Sequence, residues 1–131
     1  MEMPKLMLRI ELVSGRALGP GKIRLLEAID KTGSITEAAH SLGMSYRRAW
    51  RLVDDMNSCF RDPVIEAQAG GAGGGGTTLA PLGKMLIQRY HAVEAGAQVA
   101  TSKRLHELNA SLKNSQGSLP LTSIRRPLRT A

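Results

Sequence analysis

Arg47, Arg48 and Arg51 fall within the first two turns of a predicted helix that Ser45 can cap. Aligned peptide dipoles already make a helix start positive, so each cation placed there costs about 0.3–1 kcal/mol at low salt. An external polyanion reverses that sign, because its oxygens accept hydrogen bonds from free first-turn amides and from guanidinium groups together. The chemistry these residue types offer, with Tyr46 among them, is anion recognition. The competing reading is a solvated helix that is rich in arginine at one end.

Other reactive residue types stand in no such pattern. His40, His91 and His106 are scattered over two predicted helices without the i, i+4 pairing of a metal site, and read as ordinary surface histidines. Cys59 beside Phe60 has no adjacent base and reads as a small packed residue. No nucleophile, base and orienting group would assemble a catalytic site, so neither an enzyme nor a resident metal or cofactor is expected. Gly71, Gly73 and Gly76 satisfy G-x-G-x-x-G, but "TTLAP" follows where a dinucleotide site needs a helix. The run including Gly74 and Gly75 is open to three readings: a hairpin tip, a mobile linker or a nucleotide cradle.

The 131 residues allow one domain with an ordinary core. Aromatics are only 3 % of the chain, too few for a base-stacking platform of the kind that binds single strands. The formal charge of +7 suggests a polyanionic partner, but Lys113, Arg125, Arg126 and Arg129 place four of those charges in an acid-free tail. A lone cysteine permits no intrachain disulfide and suits a reducing cytoplasm. No apolar run reaches the ~18 residues of a membrane span, so no membrane partner is expected.

The elements that must position the arginines follow from local patterning. Leu6, Leu8, Ile10 and Leu12 alternate as in a half-buried strand over 6–13, ended by a turn at Ser14–Gly15. Pro20 and Gly33 punctuate a helix with a buried stripe of Ile23, Leu26 and Ile29. Ser34 and Glu37 match a capping box, opening a helix whose Ile35, Ala38, Ala39 and Leu42 face one side before Gly43 ends it. Ser45 starts a further helix to about Phe60, with Ala49, Val53, Met56 and Phe60 inward and Arg47, Arg51, Asp54 and Ser58 outward. Short strands are expected at 64–68 and 77–80, then one long helix from Pro81 to about Leu112. The remainder, 113–131, is expected to be a basic, flexible tail.

Two short helices joined by Gly43 and Met44, with small Ala39 between them and a polar outer face on the second, make a helix-turn-helix. In that motif the start of the second helix meets phosphates and base edges in the major groove.

Taken together, "GPGKIRLLEAIDKTGSITEAAHSLGMSYRRAWRLVDDMN" and "GGAGGGGTTLAPLGKMLIQRY" resemble the N-terminal DNA-binding domain of ModE-type bacterial regulators, a molybdate-responsive winged helix-turn-helix group related to LysR-type regulators. The similarity covers roughly residues 6–112 and is most specific in "GSI", "SYRRAW", "MN" and the glycines before "LGK"; "LPLTS" resembles the connector that follows.

The resemblance implies a mainly α fold with a small β wing: a positioning helix at 34–42, a recognition helix at 45–60 and a two-stranded wing at 64–80. It implies a bacterial, cytoplasmic, nucleoid-associated regulator of transcription that binds double-stranded DNA as a homodimer through its long C-terminal helix. Arg47 and Arg48 would read bases or phosphates, Tyr46 and Arg51 would flank them, and Ser45 and Thr36 would fix the DNA backbone. Gly71, Gly73, Gly74, Gly75, Gly76, Thr77 and Thr78 would form the wing's contact. Leu86, Tyr90, Val93, Ala97 and Ala100 recur in alternating steps of four and three, as a seam between two such helices or as packing within one domain.

Two departures set limits. The 19 residues after Leu112 are too few for the family's molybdate-binding modules, so molybdate sensing is not expected, and a heteromeric partner carrying an effector domain is the alternative reading. The wing has neutral Gln68, Ala69, Ala72, Thr77 and Thr78 and an acidic Glu66, so its phosphate contacts would rest on amides and threonine hydroxyls.

Overall fold

The computed structural model describes residues 3–71 and 74–113. Gly73 and the tail from residue 114 lie outside them. The chain begins with a hairpin of β1 (Ile10–Val13) and β2 (Arg16–Leu18), followed by α1 (Pro20–Thr32), α2 (Ile35–Ser41) and α3 (Tyr46–Cys59). A second antiparallel hairpin, β3 (Ile65–Gly71) with β4 (Gly74–Leu79), leads into α4 (Pro81–Ala100) and α5 (Ser102–Ala110). This is a helix-turn-helix body with a wing and a long C-terminal helix.

Local signals set the ends of the first three helices. Gly33 (φ 75°) and Gly43 (φ 70°) take the left-handed conformation that closes a helix without a Cβ clash. Ser34 Oγ accepts the Glu37 amide at 3.1 Å, the serine half of the expected capping box. The core forms where the apolar faces converge: Ile23, Leu25, Leu26 and Ile29 of α1 meet Ala38 and Ala39 of α2 and Ala49, Val53 and Met56 of α3. Among the described residues no charged side chain is buried. Lys22, near the start of α1, donates to the Ala17 carbonyl at 2.7 Å and pairs with Asp55 of α3 at 3.7 Å, tying β2, α1 and α3 together.

Four expectations need correction. The first strand is shorter than 6–13: its alternation holds, with Leu6, Leu8, Ile10 and Leu12 half-buried, but only Ile10–Val13 has a ladder partner. Residues 4–8 instead dock on α4 through Leu6 N–H to Gln98 Oε1 (3.3 Å), Gln98 Nε2 to the Pro4 carbonyl (3.4 Å) and Tyr90 O–H to the Leu8 carbonyl (2.5 Å). Second, the wing strands run into the glycines, pairing Gln68 with Gly76 and Gly71 with Gly74, because a ladder needs amides and carbonyls rather than side chains. Gly71, Gly74, Gly75 and Gly76 are therefore part of a hairpin.

Third, the helix expected to run unbroken from Pro81 to about Leu112 is divided at Thr101. Thr101 Oγ1 donates to the Ala97 carbonyl at 2.7 Å, competing with the helical amide bond to the same oxygen at 3.0 Å, a pattern that bends helices. Fourth, Leu86 and Tyr90 belong to the domain's own core, with Tyr90 only 2 % exposed. Burial, with Glu94 adding to it, holds the Tyr90 phenol above its ordinary pKa of 10. Of the proposed seam, Val93 and Ala100 are exposed and Ala97 is half-buried.

One surface group pins α1 to α4. His91 Nε2 lies 2.8 Å from Glu27 and its Nδ1 2.9 Å from Glu94. Both ring nitrogens can donate only in the imidazolium form, so first the Glu27 bond and then the Glu94 bond raise the His91 pKa above 6.5. A raised folded-state pKa stabilises the fold fully below pH 6.5, and that contribution disappears as pH climbs through the higher folded value. All three side chains are substantially exposed, so screening limits the gain to about 0.2–1 kcal/mol. Urea unfolding from pH 5.5 to 8.5 should show wild-type stability falling relative to His91→Gln by that amount.

Candidate nucleic-acid interface

Three elements present polar groups on one side of the molecule. Ser45 Oγ accepts the Arg48 amide at 3.0 Å and so sets where α3 begins. With the cap made, the Tyr46 and Arg47 amides have no intrahelical acceptor. Ser45→Ala should cost about 0.5–2 kcal/mol in chemical unfolding.

Ser45, Tyr46, Arg47, Arg48 and Arg51 are all exposed, while Ala49, Val53 and Met56 on the opposite face are fully buried. The 3.6-residue period thus projects the guanidinium groups away from the core. The first turn of α3 has no acidic residue, and among the described residues no carboxylate pairs with Arg47, Arg48 or Arg51. Asp55, further along, is turned to Lys22, and Asp54 lies exposed two turns from the cap. The helix therefore has a positive leading end and an acidic middle.

An open cleft of about 430 Å³ separates the start of α2 from β4 and is floored by α3. Thr36 lines its α2 side, Tyr46 and Trp50 its α3 side, and Gly76 and Thr77 its wing side. Tyr46 is 53 % exposed and stands edge-on to Trp50, with ring centroids 6.3 Å apart. Of the expected site residues, the structure therefore gathers Thr36, Tyr46, Gly76 and Thr77 around one cleft, with Ser45, Arg47, Arg48 and Arg51 exposed on the same end of α3.

The wing is anchored close to this cleft. The Thr77 amide donates to the Gly33 carbonyl at 2.9 Å. A Cβ on Gly76 would lie 2.8 Å from that same oxygen, so only glycine permits the approach. This corrects one expectation: the Thr77 amide is spent inside the fold and is not free for phosphate. Thr77 and Thr78 are half-buried, and Glu66, opposite Thr78 in the ladder, is exposed.

Sequence reasoning passed over three residues here. Trp50 enters the sequence reading only as the last residue of "SYRRAW", although its i, i+4 spacing from Tyr46 places both on one helix face. Asn57 accepts the Val64 amide at 2.9 Å; "MN" marked the residue without giving it a task. Gly83 packs against the Val64 carbonyl, where a Cβ would lie 2.3 Å away, and nothing local signals that contact.

Residues 21–84 match the family model for bacterial regulatory helix-turn-helix proteins of the lysR family. The chain is 43 % identical over 96 residues to the molybdenum-pterin-binding protein MopB of Rhodobacter capsulatus, an alignment covering 73 % of this chain and 36 % of that protein. It is 41 % identical over 95 residues to the molybdenum transport protein ModE of Azotobacter vinelandii (72 % and 35 %). With the DNA-binding transcriptional dual regulator ModE of Escherichia coli K12 it shares 36 % identity over 86 residues (66 % and 33 %). The chain thus spans about a third of the length of these relatives.

Proposed function

We propose that the chain, whose residues 21–84 match the model of lysR-family regulatory helix-turn-helix proteins and whose sequence is similar to ModE, is a sequence-specific, duplex-DNA-binding regulator of transcription. One observation carries the proposal: three guanidinium groups that pair with no carboxylate among the described residues project from the exposed, serine-capped start of α3. Duplex DNA offers that end both phosphate oxygens and the N7/O6 acceptors of guanine.

In this reading α3 lies in the major groove. Arg47 and Arg48 meet base edges or phosphates, Tyr46 and Arg51 flank them, and the Ser45 and Thr36 hydroxyls fix the backbone. The wing, with Thr77, Thr78, Gly71 and glycines 73 to 76, lies beside the flanking phosphates. A regulator of this kind works on the bacterial nucleoid in the cytoplasm and needs no catalytic group. The molybdenum in the relatives' names is a property of those proteins and is not assigned to this chain.

The chain acts as a homodimer through the outer face of α4 and α5. Val93 (47 % exposed), Val99 (77 %) and Leu108 (59 %) support this, since burying such side chains against a second copy removes apolar surface from water. The same face would serve a heteromeric partner carrying an effector domain, the second reading. Selection of bound sequences from random duplexes tests the proposal, run with the full chain and with a chain cut after Leu112, each with and without molybdate. The expected result is one enriched motif with two half-sites about 34–36 Å apart. Affinity that stays within about 10⁻⁴–10⁻⁶ M for every duplex would overturn it.

A further inference from the structure

Val64 opens the wing and is held from two sides. Its amide donates to Asn57 Oδ1 at 2.9 Å, in the last turn of the recognition helix. Its carbonyl accepts the Ala80 amide at 2.9 Å, one residue before α4, and Gly83 of α4 packs directly against the same oxygen. Val64 itself is fully buried, whereas Arg61, Asp62 and Pro63 before it are exposed.

The two tethers differ in kind. The bond to Ala80 joins backbone to backbone and survives any side-chain change that leaves the chain's path intact. The bond to Asn57 depends on one side-chain oxygen. It is also the hydrogen bond by which the end of α3 reaches the start of β3 across the exposed turn. On the other strand Thr77 is fixed to Gly33, at the junction of α1 and α2, so the base of the wing has one anchor to each end of the helix-turn-helix.

We propose that Asn57 is a positioning residue: it sets the wing relative to the recognition helix, so that both engage one duplex in the same register. The proposal rests on the DNA-binding reading above and adds to it how the second contact is aligned. Removing the acceptor leaves the buried Val64 N–H without a partner, and the wing base shifts to reach water. Asn57→Leu keeps the side chain's size and loses the acceptor. Asn57→Asp keeps the acceptor, and its charge lies about 15 Å along the helix from Arg47, beyond the screening length of about 8 Å at physiological salt.

The test is hydroxyl-radical footprinting and affinity measurement on a selected duplex, for the full chain and both variants, at a temperature where circular dichroism shows each folded. Asn57→Leu should lose the outer protections while keeping the central ones, and should bind about tenfold more weakly. Asn57→Asp should keep both. Outer protections that persist in Asn57→Leu, or that vanish equally in Asn57→Asp, would overturn the assignment. Arg47→Ala and Arg48→Ala, measured alongside, separate the two proposals: if both leave affinity and the central protections unchanged, the base-reading proposal fails whatever Asn57 does.

Discussion

Replacing Arg47 or Arg48 by alanine is expected to weaken binding to a selected duplex by about 1–3 kcal/mol, roughly 5- to 150-fold, if the guanidinium group is bidentate to guanine. A residue that touches only phosphate gives a different signature: affinity falls for all sequences alike, and the slope of log K against log salt drops by about 1. The two outcomes sort each arginine into reader or anchor. Folding stability should move little and in the opposite direction, because each alanine removes a cation from the positive end of α3, worth about 0.3–1 kcal/mol at low salt. A variant that both binds weakly and unfolds early would mean the side chain supports the helix. Unchanged affinity in both variants would remove the pair from the reading surface.

The second large effect is on stability. At Gly83→Ala two contributions oppose each other. Alanine is the better helix former by about 0.8–1.0 kcal/mol, but its Cβ would stand 2.3 Å from the Val64 carbonyl oxygen and 3.4 Å from Leu79 Cδ2. The oxygen is backbone and is held by the Ala80 amide, so relief requires moving the first turn of α4 off the wing. Overpacking of this kind costs about 1–3 kcal/mol or more, and the steric contribution should win. Gly96→Ala provides the contrast within the same helix. Nothing lies within 4 Å of its added Cβ, so it should stabilise by up to about 1 kcal/mol. Urea unfolding of the two variants should therefore give opposite signs; the same sign would show that the Val64 contact does not govern Gly83.

What could be foreseen from the chain divides along the reach of each interaction. Ser34, Gly33, Gly43 and Ser45 act within three or four residues, and α1, α2 and α3 begin and end within about a residue of where those signals place them. The outward set of Arg47, Arg51, Asp54 and Ser58 follows from helical period alone, and all four are exposed. Features whose partners are remote in sequence were not legible. Tyr90 reads as a member of a coiled-coil seam until Leu8 is seen to accept its hydroxyl, 82 positions away. His91 reads as an isolated surface group until Glu27 of α1 is found beside it. The wing glycines break any strand pattern based on side chains, yet their backbone pairs Gly76 with Gln68 and, after a shift in register, Gly74 with Gly71. At the candidate site, chemistry and exposure were legible, but the cleft between Thr36, Trp50 and Thr77 was not, since three separate elements build it.

The docking of residues 4–8 on α4 has a consequence for how this protein is made. Those residues are synthesised before the helix they dock on, since their partners on Tyr90 and Gln98 follow 82 to 94 positions later. At about 5–20 residues per second, the nascent chain carries that segment unpaired for roughly 5–20 s. Closing so large a loop costs chain entropy before the contacts return anything. During biogenesis this stretch thus waits for α4 to be made before it can find its place.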